Sequence, residues 1–206
     1  MALKKPSTSD TNQDVRRYTR DMSGLLQQLK DPDPETRRWA ARDLASYPEA
    51  ATALCQRLEP ETDTSVRQAI ATTLARLGGP RVVEALIPLL RSDDAALRNE
   101  VLDILKQLPE DVAPSLEALL GDPEPDMRIF AVNILETLRH PKVEDWLIAV
   151  LNTDAHVNVV ASALDLLGEV GSEAALPAIE RVRRRFPDSP FITFAAETAE
   201  RRILGE

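Results

Sequence analysis

Residues 63–78 read DTSVRQAIATTLARLG. An aspartate opens the run, an arginine follows four positions later, and Ile70 and Leu74 stand three and seven positions beyond Arg67. That spacing puts Ile70 and Leu74 on one face of a helix. Asp63 suits the cap position, where its carboxylate accepts from orphan backbone N–H groups, and Gly78-Gly79-Pro80 is a helix stop. The same set returns at intervals of thirty or thirty-one residues. Asp33 precedes Arg37, Asp94 precedes Arg98 and Glu124 precedes Arg128, and Leu44, Leu105 and Leu135 take the place of Leu74. Repetition at this period predicts a stack of similar units whose function lies in a shared surface and not in one pocket.

Each unit reads as a first and a second helix. Leu86, Leu89 and Leu90 have the spacing of one buried helical face, as do Leu116, Leu119 and Leu120, while Leu25, Leu26 and Leu29, and more weakly Leu54 and Leu58, do the same work earlier. Turns such as Asp31-Pro32-Asp33-Pro34 and Asp122-Pro123-Glu124-Pro125 separate the two, with proline where its missing N–H costs nothing. The second helices then bury Ala40 with Leu44, Ile70 with Leu74, Val101 with Leu105 and Ala131 with Leu135. A fifth unit fits with His156 at the cap and Val160 in the arginine's place, followed by Ala163 and Leu167. The sixth places Asp188 at the cap, Ile192 at the arginine site and Ala195 three residues on. The units run over about 14–47, 48–79, 80–109, 110–139, 140–171 and 172–206, behind a polar tail, 1–13, that reads as disordered. Val15, Tyr18, Met22 and Leu25 share a face, so the first helix is expected to begin near Asp14.

Composition narrows the function classes. Hydrophobic residues make up 43% of the 206 and aromatics only 4%, which predicts a core of Leu, Ala, Val and Ile. A formal charge of −9 argues against a general phosphate binder. One cysteine, Cys55, allows no internal disulfide and reads as a small core residue. No apolar run follows the early lysines as in a secretory signal, and none reaches the roughly eighteen uncharged residues of a membrane helix. A cytoplasmic protein is the simplest expectation.

The four arginines read as a ladder in which each guanidinium reaches the capping carboxylate of its own or a neighbouring unit, since its rigid fork binds a carboxylate bidentately. A basic groove for phosphates is the other reading, but four acids match the four arginines.

The run from Asp63 through Val66-Arg67, Ala69, Ala71 and Leu74 to Gly78 resembles the short bacterial HEAT repeat, also called the phycobilisome-lyase HEAT-like repeat. The resemblance covers roughly residues 14–206. It implies an all-α fold, a right-handed α-solenoid of about six HEAT-like helix pairs, with the second helices lining the concave face. Most members of that family bind other proteins, and some phycobilin lyases hold bilin chromophores during attachment. HEAT-like deoxyhypusine hydroxylases carry paired His-Glu motifs for two irons. Here His140 precedes Pro141 and His156 precedes Val157, so that activity is not expected.

No catalytic, cofactor-binding or metal-binding residues stand out, and no cofactor is expected. The expected site is a face. Positions one, five and eight after the arginine should point into the concavity, giving Arg38, Arg42, Gln68, Asn99, Asp103, Ile129, Asn133 and Asp165 as partner-binding candidates. Lys106 and Glu136, Glu197 and Glu200 fall on the same face, which runs from basic to acidic with Ile129 an apolar spot midway. The function read from this is a non-catalytic adaptor that binds a partner protein or peptide on the concave face. A phycobilin lyase subunit or chromophore chaperone is the alternative, and nucleic-acid binding ranks below both. Trp39 reads as a packing residue or an exposed anchor, with Phe130 and Phe194 at matching positions favouring packing. Trp146 reads as core, and the cluster Arg181, Arg183, Arg184 and Arg185 as a solvated face or a dock for an acidic partner.

Overall fold

The protein is seen in a computed structural model that describes residues 19–206, where twelve α-helices follow one another and no strand occurs among the described residues. They form six pairs. The first two are α1 (Met22–Gln28) with α2 (Pro34–Asp43) and α3 (Ala51–Leu58) with α4 (Thr64–Leu77). Next come α5 (Pro80–Leu86), lengthened by a 3-10 turn at Ile87–Arg91, with α6 (Ala95–Lys106), and α7 (Pro109–Leu120) with α8 (Pro125–Leu135). The last are α9 (Val143–Thr153) with α10 (Val157–Val170) and α11 (Leu176–Arg185) with α12 (Pro190–Leu204). The second helices α2, α4, α6, α8, α10 and α12 pack each on the next, and α3, α5 and α7 do likewise. Every extensive contact among the described residues joins helices of one pair or of adjacent pairs. This is the nearest-neighbour pattern of a solenoid.

The caps follow the sequence closely. Asp33 accepts from the Thr36 N–H at 2.9 Å, Asp63 from Ser65 and Val66 at 2.9 and 3.1 Å, and Asp94 from Ala96 at 2.8 Å. Glu124 and His156 hold the cap positions of α8 and α10 without a side-chain bond. In the sixth unit the cap is Ser189 and not Asp188, because Pro190 occupies the first helical position and the residue before it takes the extended backbone of a cap. The first helix is also shorter than expected. Thr19, Arg20 and Asp21 lie outside helix and Asp21 caps α1, while Asp14, Val15 and Tyr18 lie outside the described residues, as does the tail 1–13. Between α4 and α5, Gly78 and Gly79 take φ values of 56° and 82°, a left-handed backbone that other residues enter only with strain.

The core is a row of layers. Ala40, Leu44, Ile70, Leu74, Val101, Leu105 and Ala131 are fully buried, as are Ala163 and Leu167 in the fifth unit. In the sixth unit Ile192, Ala196 and Ala199 are buried, while the expected Ala195 is only half-buried. Cys55 is a buried core residue whose thiol is pushed up to about 12 by desolvation. On α12, Thr193, Glu197 and Glu200 are at least partly exposed.

Small residues bring the last two second helices together. A Cβ placed at Gly168 would stand 3.2 Å from Ala199 Cα and 3.1 Å from Arg202 Cδ. Arg202 can move aside, but the α12 backbone cannot without parting the helices. Gly168→Leu is therefore expected to destabilise the protein by about 1–3 kcal/mol in urea unfolding. Gly168→Ala should be nearly neutral, because a gain in helix propensity of up to about 1 kcal/mol offsets the tight contact. Equal stability of Gly168→Leu and the natural protein would contradict this packing.

Candidate functional site

The recurring arginines brace the stack, and their partners differ from the expected ones. Arg37 forks onto Glu61, with Nε and Nη2 each 2.8 Å from a carboxylate oxygen, and Arg57 reaches the same carboxylate at 2.6 Å. Arg128 forks onto Asp154 at 2.6 and 3.0 Å. Neither Glu61 nor Asp154 caps the start of a second helix. Each lies two residues before the cap of the following unit and accepts the backbone N–H of that cap residue, Asp63 or His156. Asp31, Ser92 and Asp122 do the same for Asp33, Asp94 and Glu124. Arg67 pairs most closely with Glu100 at 2.6 Å and, at 3.9 Å, also with the expected cap Asp94. Arg98 makes no ion pair among the described residues, since Asp122 is taken by Arg91. Each of the four also donates to a carbonyl in the turn ahead of its own helix: Asp31, Glu61, Ser92 or Asp122. That turn ends the first helix, so the arginine supplies donors its last carbonyls lack. Desolvation pushes the Glu61 carboxyl up, yet the Arg37 and Arg57 guanidiniums outweigh it and hold the group at about 2. Asp154 is lowered likewise, by Arg128 against burial.

With these arginines committed to structure, the exposed side of the second helices becomes the candidate site. Gln68, Asn99 and Asp103 line one broad groove of about 1140 Å³ between α4 and α6, together with Arg76 and Gln107. Arg42 and Gln68 also line a recess of about 360 Å³ between α2 and α4, whose other wall includes Arg76. Four of the eight candidates, Arg42, Gln68, Asn99 and Asp103, thus form one continuous surface. Asp165 opens into a separate groove between α10 and α12. Ile129 and Asn133 are half-buried, and Ile129 packs on the core, so little of it is left as an apolar spot. Arg38 is half-buried beside Glu35 at 3.5 Å, with its guanidinium 5.7 Å from the centre of a Trp39 ring. The charge gradient is partly cancelled. Lys106 pairs with Glu136 at 2.6 Å, Asp165 with Arg202 at 3.4 Å, and Glu200 with Arg183. Arg42 and Arg76 at the amino end, and Asp103 and Glu197 further on, make no ion pair among the described residues.

Comparison with known proteins places this architecture. The family described as HEAT repeats matches residues 22–106 and 112–199. The chain belongs to that family. Among the relatives, the uncharacterised phycocyanin operon protein Z of Pseudanabaena tenuis is 26% identical over 191 residues, 87% of this chain and 92% of that protein. Protein YibA of Escherichia coli K12 is 25% identical over 145 residues, 68% of this chain, which spans half of that protein. The solved archaeal HEAT-like repeats protein of Thermococcus onnurineus covers 88% of this chain and 86% of its own, at 18% identity and a TM-score of 0.47.

Other side chains singled out from the sequence fall differently in the HEAT stack. Trp39 is 48% exposed and flanked by Arg38 and Arg42, the latter 5.3 Å from a ring centre, and Phe194 is 64% exposed, so only Phe130 of the three is half-buried. The position two after the arginine site turns towards the preceding second helix. Among the described residues no second helix precedes α2, and Trp39 stays open there. Trp146 is half-buried and not core: it stacks on His140 at 5.1 Å and donates to Glu117 at 3.2 Å, bridging α7 and the start of α9. The α11 arginines are bound internally. Arg181 and Arg185 hold the end of α9 through Asn152 and Asp154, Arg183 meets Glu200, and Arg184 meets Glu180. Sequence reasoning missed the role of the acceptor two residues before the cap. Its signal was present as an acid six positions ahead of the arginine site in four of the six units: Asp31, Glu61, Asp122 and Asp154.

Proposed function

We propose that this protein is a cytoplasmic, non-catalytic scaffold that binds a partner protein or peptide along its exposed second helices. The observation that carries the reading is the continuous surface of Arg42, Gln68, Asn99 and Asp103 over the α4–α6 groove. Its amide side chains both donate and accept, which suits a peptide backbone, and its unpaired charges have opposite signs at its two ends. The partner lies with acidic groups towards Arg42 and Arg76 and basic groups towards Asp103. Interspersed signs fit a nucleic-acid backbone poorly. Joint replacement Arg42→Ala, Gln68→Ala and Asp103→Ala is expected to weaken capture of the host partner, identified by affinity purification and mass spectrometry, by tenfold or more. Gln68, Arg42 and Asp103 are exposed, so the fold should persist. Undiminished capture by the folded variant would contradict the proposal.

A second reading, a phycobilin lyase subunit or chromophore chaperone, draws support from the relation to phycocyanin operon protein Z along most of both chains. Mixing the protein with bilin and apo-phycobiliprotein and following absorbance separates the two. A new band that depends on this chain favours the second reading, and its absence favours the scaffold.

A further inference from the structure

Phe191 and Phe194, at 54% and 64% exposure, are the most exposed large apolar side chains among the described residues. They open onto a groove of about 370 Å³ between α10 and α12, lined also by Ala161, Ala195 and Ala199. That volume falls in the range of about 300–1,000 Å³ typical of ligand clefts. The exposure has a cause in the packing. Gly168 and Ala199 let α10 and α12 approach closely, and α10 offers the rings only short side chains such as Ala161 and Ser162. Nothing on α10 reaches far enough to cover them.

The rim is acidic. Asp165 and Glu169 share one cation, Arg202, at 3.4 and 4.0 Å. On the other side of Phe194, a recess of about 360 Å³ is bordered by Asp188 and Glu197, neither of which makes an ion pair among the described residues. Arg201 donates to the Glu197 carbonyl and not to its carboxylate. Three carboxylates, Asp165, Asp188 and Glu197, therefore line the groove and the adjoining recess against one lining arginine, Arg202, which is already shared. The −9 charge of the whole chain adds an attraction for cationic segments.

We propose that the groove between α10 and α12 receives a large apolar or aromatic side chain of a partner segment, flanked by lysine or arginine that meets Asp188 and Glu197. The inference rests on the second helices being the binding side, and it names the chemistry bound at their carboxyl end. An exposed apolar cleft with a charged rim has the anatomy of a binding hot spot, where one anchor side chain carries most of the affinity. Rim charges then set partner choice and salt dependence.

The test uses the full chain and three short fluorescein-labelled peptides read by anisotropy. One carries Leu and Trp between lysines, the second has glutamate for each lysine, and the third has serine for Leu and Trp. Only the first is expected to bind. Joint replacement Phe191→Ser and Phe194→Ser should weaken it about thirtyfold, the size of a hot-spot loss. Asp188→Asn with Glu197→Gln should weaken it severalfold and flatten its salt dependence. All four side chains are exposed or line the surface, and circular dichroism checks that both variants stay folded. No binding of the first peptide, equal binding of the glutamate peptide, or undiminished binding to the folded phenylalanine variant would overturn the proposal, as would loss of a self-associated form as the only effect of that variant. Full capture of the host partner by the phenylalanine variant removes the groove's role and leaves that of the α4–α6 surface standing. Full capture by the Arg42, Gln68 and Asp103 variant, with peptide binding intact, does the reverse.

Discussion

Replacing Glu61 by alanine is expected to lower stability by about 3–5 kcal/mol, the range found when one partner of a buried ion pair is removed. Glu61 is 2% exposed and Arg37 8% exposed, so the orphaned guanidinium would remain out of water without its fork of hydrogen bonds. The loss exceeds one pair. Glu61 also accepts from Arg57 and from the backbone N–H groups of Thr62 and Asp63, and thereby sets the turn that opens α4. In a chain of this length that change corresponds to a fall in Tm of about 10 °C. The pH dependence has a definite sign. The folded-state value of Glu61 is depressed from 4.5 to about 2, so its contribution is complete above about pH 4.5 and is lost as pH falls towards 2. Urea unfolding of the natural protein should therefore weaken across that window, and Glu61→Gln should weaken less steeply there. Asp154, lowered in the same direction, adds to the slope.

Leu105→Ala is the second large effect, expected at about 2–5 kcal/mol. Leu105 has no exposed surface and sits in α6, near the middle of the row of buried leucines that also holds Leu74 and Leu135. Layers of helices on either side fix its surroundings, so the cavity cannot collapse as it would at an end. Leu204→Ala is the control. That side chain is 45% exposed at the end of α12, and its loss should change stability by no more than about 0.5 kcal/mol. Equal effects at the two sites, measured by urea denaturation, would show that the layers do not carry the stability.

The architecture was legible because it depends on short-range signals repeated many times. Leucines at helical spacing, aspartates at caps and Gly78-Gly79-Pro80 each act within one or two turns of chain, and the structure has Leu44, Leu74, Leu105, Leu135, Asp33, Asp63 and Asp94 where the spacing puts them. Pairings across units were not legible in the same way. Whether Arg67 meets the cap Asp94 more closely or Glu100, six residues further along α6, depends on how far one unit is rotated on the next, and no local pattern encodes that angle. The same holds for Lys106 with Glu136, which removed two charges from the expected gradient. Exposure of Phe194 was hidden for a related reason: it is decided by Ala161 and Ser162, some thirty residues earlier in the chain, and not by its own neighbours. The exposed positions of the second helices were more legible where the helices are regular. Gln68, Asn99 and Asp103 came together as the spacing required, whereas Ile129 was drawn partly into the core.

Native-state hydrogen exchange on Glu61→Ala, compared with the natural protein, tests the stacking of neighbours most directly. Protection should fall chiefly over α1 to α4, which meet at the Arg37–Glu61 contact, while α10 and α12 keep theirs. An even loss of protection from α1 to α12 would contradict a row of units that hold only their neighbours.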